Sequence, residues 1–398
     1  MYVERDLQVD IERLSKATGI VAVVGPRQSG KTTLLRHMMP KEASYVLFDD
    51  PVARRLFEER LEAFAVQYIK DRPLAVLDEV QYCADAGTRL KYLVDTGNNL
   101  WVTSSSEVLL SRDVLSFLVG RVSVHRLLPF NLREFLRAKG QRVLTPEIEE
   151  DRVREHMTFG GYPNVVLAEG ADLKAKLLAD LHLTMVLRDM ARTFSIRNLG
   201  DIEWLSLYLA QDPGAPLKID DLASHLEVSR PTVRKYLDAM EKSYLIHLMR
   251  PFYTNKRKEL VKQPRVYFLD TGMRNAIAKE FEKVPTGHLF ENYVMTELLK
   301  MGLAPKYWRT KSKAEVDFVV ERGREVVPIE VKLHVGRKVG SGLRSFIGRY
   351  APETAIVVGL KGDEGSRVVD GCDVQFLRIA GLWRAMTGEA VTEHRDEL

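Results

Sequence analysis

The chain has 398 residues, of which 45% are apolar and 29% charged, and a formal net charge of +4. That length exceeds one comfortable core and points to two or three domains, while the composition excludes a disordered or fibrous chain. Two cysteines, Cys83 and Cys372, stand far apart without ligand-spaced partners, which argues against a disulfide scaffold or a zinc site and for a reducing, cytoplasmic setting. The charged opening residues lack a signal-peptide core, and no run of 18 apolar residues offers a membrane span.

Leu7, Ile11 and Leu14 fall on one face of a short first helix. The apolar run 21–24 then leads into Gly25-Pro26-Arg27-Gln28-Ser29-Gly30-Lys31-Thr32-Thr33, a complete G-x-x-x-x-G-K-T, and Leu34, Leu35 and Met38 follow at helical spacing. Strand, loop and helix stand in the order a Walker A phosphate loop requires. Its glycines permit a tight turn and close approach to anionic oxygens. Backbone N–H groups and the helix N-terminus would cradle the α- and β-phosphates of ATP. Lys31 would reach the β- and γ-phosphates, and Thr32 would offer its hydroxyl to Mg2+.

Residues 43–48 read as a second strand, ending in Asp49-Asp50. Residues 74–77 form a buried strand that ends in Asp78-Glu79, the shape of a Walker B element. Asp78 would hold Mg2+, directly or through water, and Glu79 would polarise the attacking water. Both motifs are expected on adjacent strands of one parallel sheet. Residues 99–106 make a fourth strand that ends in hydroxyls. There Ser104 or Ser105 is placed to position the lytic water, or the turn is simply rich in serine. Residues 119–127 read as one more strand, with Arg121 at its entrance and Arg112 upstream. A guanidinium there reaches a phosphate of its own subunit or of a neighbour's, or else is a solvated surface group. His37 and His125 stand alone and read as structural or surface residues.

Residues 137–155 are highly charged and read as a linker plus a solvent-exposed helix. Residues 159–163 make a sharp turn, and residues 172–194 a long amphipathic helix in the place of a nucleotide lid, with Arg188 and Asp189 on its charged side. Residues 219–226, a turn at 227–229 and a helix opened by Ser229 and Pro231 have the spacing of a helix-turn-helix core. Arg230, Thr232, Arg234 and Lys235 face outward from the second helix, where a DNA reader meets phosphates and base edges. Residues 245–252 and 265–269 make a hairpin with Lys256-Arg257-Lys258 at its tip, which completes a winged helix. Such modules dock proteins as well as DNA.

Residues 287–299 form a helix, and residues 307–309, 314–321, 326–332, 355–360 and 374–377 the strands of a small mixed sheet, with a helix at 338–350. Glu330 and Lys332 are two apart on a strand and share a face. Asp317 and Glu330 can bind a divalent ion with Glu291 as a further ligand, and Lys332 can orient or activate water for phosphodiester cleavage. The alternative is surface charge on an edge strand. The last dozen residues read as a frayed tail.

On residues 25–33, 74–81, 103–106, 118–134, the winged-helix segment and 315–332, nearly the whole chain resembles a widespread prokaryotic family of AAA-type ATPases that carry a C-terminal domain of formerly unknown function. The phrase around Arg121 followed by Leu127-Leu128-Pro129-Phe130 resembles a recurring signature of that family, and Ser105-Ser106-Glu107 its sensor segment. The C-terminal part resembles the restriction-endonuclease-like, PD-(D/E)XK, fold, with Glu291, Asp317, Glu330 and Lys332 matching its pattern; Val316 stands where that pattern's proline would be. The resemblance implies an α/β protein: a P-loop AAA-type core at 1–135, a helical lid or linker at 136–210, a winged helix at 211–270 and a restriction-endonuclease-like domain at 271–390. The leading expectation from these residues together is a Mg2+-dependent ATPase that binds DNA and uses nucleotide state to control a nuclease-like domain. The competing expectation is an ATP-dependent regulator or adaptor without nuclease activity, docking DNA or a protein partner. A homo-oligomer stays open, and no membrane is involved.

Overall fold

The computed structural model describes residues 2–392 apart from 16–17, 106–117, 119, 186–189, 191–193, 195, 197, 256, 258, 260–261 and 282–284. Ser106, Glu107, Arg112, Arg188, Asp189, Lys256, Lys258 and the end of the predicted tail therefore lie outside the described residues. The chain divides into two compact units, the first built on Met1–Phe130 and the second on most of the chain from Asn131 onward.

In the first unit, α1 (Leu7–Leu14) precedes β1 (Ile20–Val24), and α2 (Lys31–Met38) follows the phosphate loop. Then come β2 (Ser44–Leu47), α3 (Pro51–Glu59), α4 (Leu61–Tyr68), β3 (Ala75–Asp78), a 3-10 turn (Val80–Tyr82), α5 (Ala86–Asp95), β4 (Leu100–Ser104) and β5 (Val122–Arg126). The strands pair in parallel in the order β2-β3-β4-β1-β5. Parallel strands covered on both faces need continuous apolar runs, and β1, β3 and β4 are buried along their whole length. Alternate residues of β1 feed two cores. Ile20 and Ala22 pack with Phe48, Phe57 and Phe64 on one face, and Val21 and Val23 with Leu34, Leu35 and Trp101 on the other. One expectation is corrected here: β4 stands between β1 and β3, so the strands carrying the loop and the acidic pair are not adjacent. Strand order is set by how each crossover returns, which no local motif encodes.

The second unit opens with α6 (Leu132–Ala138), α7 (Pro146–Phe159), α8 (Pro163–Leu167), α9 (Ala171–Thr184) and α10 (Leu199–Gln211). Before the charged stretch 137–155, α6 is closed by a capping box between Asn131 and Glu134; the helix expected within that stretch is α7, but it is not simply solvent-exposed, since it buries Glu149, Val153, His156 and Met157. Next come α11 (Ile219–His225), α12 (Arg230–Lys242), β6 (Ile246–Met249) and β7 (Arg265–Phe268), with β6 and β7 antiparallel. After α13 (Thr271–Ala278) and α14 (Gly287–Lys300) a six-stranded mixed sheet runs β12-β13-β11-β10-β9-β8. Its strands are β8 (Lys306–Arg309), β9 (Glu315–Arg322), β10 (Glu325–Val335), β11 (Thr354–Gly362), β12 (Gly365–Val369) and β13 (Cys372–Arg378), with α15 (Ser341–Tyr350) and α16 (Ile379–Thr387). The edge strand β12 escapes a reading by hydrophobicity because four of its five residues are exposed. No helix among the described residues is long and apolar enough to cross a membrane.

Candidate functional site

The loop between β1 and α2 closes tightly on the end of β5. A Cβ on Gly25 would fall 2.1 Å from the Leu127 carbonyl oxygen, so no other residue fits there. Gly30, with φ 98°, holds the left-handed turn before α2 that residues with a Cβ adopt at a cost. Lys31 is 4% exposed, and its Nζ donates to the Gly25 and Pro26 carbonyls, 2.9 Å each. Arg5 braces the loop from behind, donating to Ser29 O at 2.7 Å and Leu128 O at 2.6 Å with its guanidinium over Phe130. Arg27 donates to the Tyr82 hydroxyl. Gln28 and Thr33 are exposed on the loop's outer side, and Ser29 is buried.

The acidic pair ends β3 beside this loop. Asp78, 1% exposed, accepts hydroxyl hydrogens from three elements. Thr32 donates to its Oδ2 at 2.8 Å, Tyr45 donates to the same oxygen, and Thr103 donates to Oδ1. Three charge-assisted hydrogen bonds satisfy this buried carboxylate. Glu79 follows with its N–H on Thr103 Oγ1 at 2.9 Å. Its Oε2 accepts from the Gln81 amide, which also donates to Ser105 Oγ at 2.9 Å. The Ser104 carbonyl accepts from Gly25 N at 3.2 Å, so the end of β4 touches both the loop and the acidic turn. Lys31, Thr32, Asp78, Glu79, Ser104 and Ser105 are thus brought to one end of the sheet. Tyr45, Thr103, Gln81 and Arg5 join them and were not singled out from sequence. Thr103 lay within the hydroxyl-rich strand end; Tyr45 and Arg5 carry no local signal.

Arg121 is not brought there. It precedes β5 at the end that pairs with Ile20, whereas the loop leaves β1 after Val24, and its Nε donates to Asp95 at 2.6 Å. A guanidinium at the far end of the sheet cannot serve its own loop, which corrects the same-subunit reading. Arg126, exposed at the other end of β5, is the arginine level with Val24. His37 stacks on Tyr2, and His125 is buried against Ser123, with burial lowering its pKa.

In the second unit, Glu291 of α14, Asp317 of β9 and Glu330 and Lys332 of β10 share a neighbourhood, but each acid already has a protein partner. Lys332 Nζ sits 2.9 Å from Glu330 Oε1, Val331 N donates to Asp317 Oδ2 at 2.7 Å, and the Tyr267 hydroxyl donates to Glu291 Oε1 at 2.6 Å. Arg265, on β7 beside Tyr267, pairs with Glu315 and lies 3.7 Å from Glu291. Burial pushes the Asp317 carboxyl up to about 7, and the charge of Glu291 adds to it. Burial also raises Glu291 against the pull of Tyr267 and Arg265. Burial opposes the Lys332 charge, but Glu330, Asp317 and Glu291 outweigh it and raise its pKa. Among the described residues no group of three or more His, Cys, Asp or Glu side chains is arranged to hold a metal ion. The predicted Glu291–Asp317–Glu330 metal set is corrected accordingly: the acids are near one another without forming such a group, and Glu330 Oε2 is buried with no protein partner.

On α12, Ser229 Oγ accepts from Thr232 N at 3.3 Å, as its expected capping role requires. Arg230, Arg234 and Lys235 are exposed, Thr232 is half-buried and Arg230 is paired with Asp220. Arg257, between two residues outside the described set, is exposed.

Residues 17–136 match a family model described as an AAA domain; residues 150–283 and 286–377 match two domains of unknown function, DUF8612 and DUF4143. An uncharacterised protein of Methanocaldococcus jannaschii is 27% identical over 350 residues, covering 83% of this chain and 78% of that protein. One from Haemophilus influenzae is 25% identical, covering 80% of this chain and 84% of that protein. One from Mycobacterium tuberculosis is 27% identical, covering 87% of this chain and 78% of that protein. Among solved structures, the Walker-type ATPase PABY2304 of Pyrococcus abyssi aligns with a TM-score of 0.47 at 14% identity, covering 69% of this chain and 96% of that one. The chain carries an AAA-type ATPase domain of the α/β P-loop class, followed by a C-terminal domain of unknown function.

Proposed function

We propose that this protein is a Mg2+-dependent ATPase acting as a nucleotide-controlled switch, which docks DNA or a protein partner and does not itself cut nucleic acid. The observation that carries the reading is the meeting of Lys31, Thr32, Asp78, Glu79 and Ser105 at one end of the parallel sheet. The α2 N-terminus and the loop N–H groups of residues 25–33 other than Pro26 receive the ATP phosphates. Lys31 exchanges the Gly25 and Pro26 carbonyls for phosphate oxygens. Thr32 and Asp78 bring a hydroxyl and a carboxylate together at 2.8 Å, an oxygen donor set that suits a hard cation, and would hold Mg2+. When bound, that ion supplies charge neutralisation on the phosphates. Glu79 takes a proton from water as the water oxygen bonds to the γ-phosphorus. The bond from that phosphorus to the bridging oxygen breaks, and its electron pair leaves with ADP. Ser104 and Ser105 help place the water. Arg121 contributes only as a neighbour's residue in a homo-oligomer.

The second unit is the docking half. Arg230, Thr232, Arg234, Lys235 and Arg257 form its DNA-facing set in a winged-helix arrangement, and Lys256 and Lys258, outside the described residues, join it on the sequence alone. The restriction-endonuclease-like reading of the last sheet is kept for its architecture, without cleavage, because among the described residues Glu291, Asp317 and Glu330 do not form a group arranged to hold a metal ion.

Phosphate release and ATP binding test this reading. Lys31→Ala should lose ATP binding. Glu79→Gln should keep binding and lose turnover by about 10²–10⁴-fold. Equal turnover in wild type and Glu79→Gln would sink hydrolysis at this site. In a Mg2+-dependent cutting assay on linear, branched and single-stranded DNA, wild type should not exceed the Asp317→Ala and Lys332→Ala controls; cleavage that those variants lose would restore the nuclease.

A further inference from the structure

The turn after β3 holds Glu79 in an unusual way. Its backbone is left-handed, with φ 61°. A residue with a Cβ persists there when its surroundings over-determine it. Two contacts do so. The main chain is fixed by Thr103 of β4, at 2.9 Å, and the carboxylate by Gln81. Gln81 in turn is 2.9 Å from Ser105 Oγ, one residue past the Ser104 carbonyl that accepts from Gly25 of the phosphate loop. Its own carbonyl oxygen is buried with no protein partner. The neighbouring Tyr82 ties the same 3-10 turn back to the loop through Arg27.

We propose that Gln81 is a positioning residue for hydrolysis, one that holds the Glu79 carboxylate through Oε2 and leaves Oε1 to take the proton of the attacking water. The inference rests on the ATPase reading above and deepens it. A primary amide has two N–H donors, so Gln81 serves Glu79 and Ser105 at once. Ser105 borders the loop through Ser104, so a bound γ-phosphate that draws on the Ser105 hydroxyl changes the hold on Gln81, and through it on Glu79. The side chain thereby links phosphate occupancy to the orientation of the base.

The test compares wild type, Gln81→Leu, Gln81→Glu and Glu79→Gln in steady-state phosphate release and in binding of a non-hydrolysable ATP analogue. Gln81→Leu should bind the analogue as wild type does, keep KM, and lose kcat by about ten- to a hundredfold, a part of what a general base supplies. In Gln81→Glu the introduced carboxyl donates to Glu79 when protonated and repels it when ionised. Its kcat relative to wild type should therefore fall as pH rises from about 5 to 9. A packing defect would lower both variants without that slope. Normal turnover in both Gln81 variants beside an inactive Glu79→Gln would overturn the positioning role and leave the ATPase reading standing. A constant Gln81→Glu ratio across pH, or loss of analogue binding in Gln81→Leu, would overturn it equally. Wild-type turnover unaffected by Glu79→Gln would remove both.

Discussion

Asp78 gathers hydroxyls from three separate elements, and the three differ in how far the sequence announces them. Thr32 stands in the G-K-T of the loop, and Thr103 in a strand that visibly ends in hydroxyls. Tyr45 lies a strand away, and nothing local separates it from any strand tyrosine. In the fold, Arg36 stacks on its ring at 4.0 Å while its hydroxyl donates to Asp78. Burial and the Asp78 charge hold that hydroxyl well above its ordinary range, so it remains a donor throughout the neutral region. Tyr45→Phe removes one hydrogen bond to a charged acceptor. We expect a loss of about 1.5–3 kcal/mol in urea unfolding. An unchanged midpoint would mean that Thr32 and Thr103 satisfy Asp78 unaided.

The β9–β10 pair shows the same division at the level of elements. The alternation that puts Glu330 and Lys332 on one face is readable; the nearness of Asp317 follows from the β9–β10 register, whose last pair is Ile329 with Phe318, and from Val331 N donating to its carboxylate. What the alternation cannot reveal is the strand β7, whose Arg265 and Tyr267 reach across to Glu291 and Glu315. A chemical pattern names candidate ligands; the competing donors arrive from elsewhere in the chain. The same holds for α7, read as solvated from its charge. Its Glu149 accepts from Ala380 N at 2.9 Å, and its His156 meets the Tyr293 hydroxyl at 3.0 Å. The Asp317 carboxyl, raised from 3.8 to about 7, gives this region a pH signature. The folded state holds a proton that the unfolded chain has released. The contribution of Asp317 is therefore most favourable below about pH 4 and is lost as pH rises to about 7. Asp317→Asn should raise stability at pH 8 by about 1–3 kcal/mol and flatten the pH dependence across that window. Melting curves at pH 5 and pH 8 that shift identically for both proteins would contradict this.

For the whole molecule, nucleotide and folding are linked. A ligand that binds only the folded state at a hundred times its Kd stabilises by about 2.7 kcal/mol. Calorimetry with excess Mg2+ and ATP should show that gain, and chelating the metal should remove most of it; a melting profile indifferent to Mg2+ would count against Thr32 and Asp78 as its holders. By itself the sequence determined the phosphate loop, the acidic strand end and the alternation of β9 and β10. Each of these is written in contiguous residues whose periodicity or backbone needs are local. Only the tertiary structure decided that β4 separates β1 from β3, that Arg121 stands at the wrong end of the sheet for its own loop, and that the C-terminal acids are engaged by Tyr267, Val331 and Lys332. Strand order depends on crossovers and side-chain partnership on which distant elements pack together, and neither leaves a trace in residue spacing.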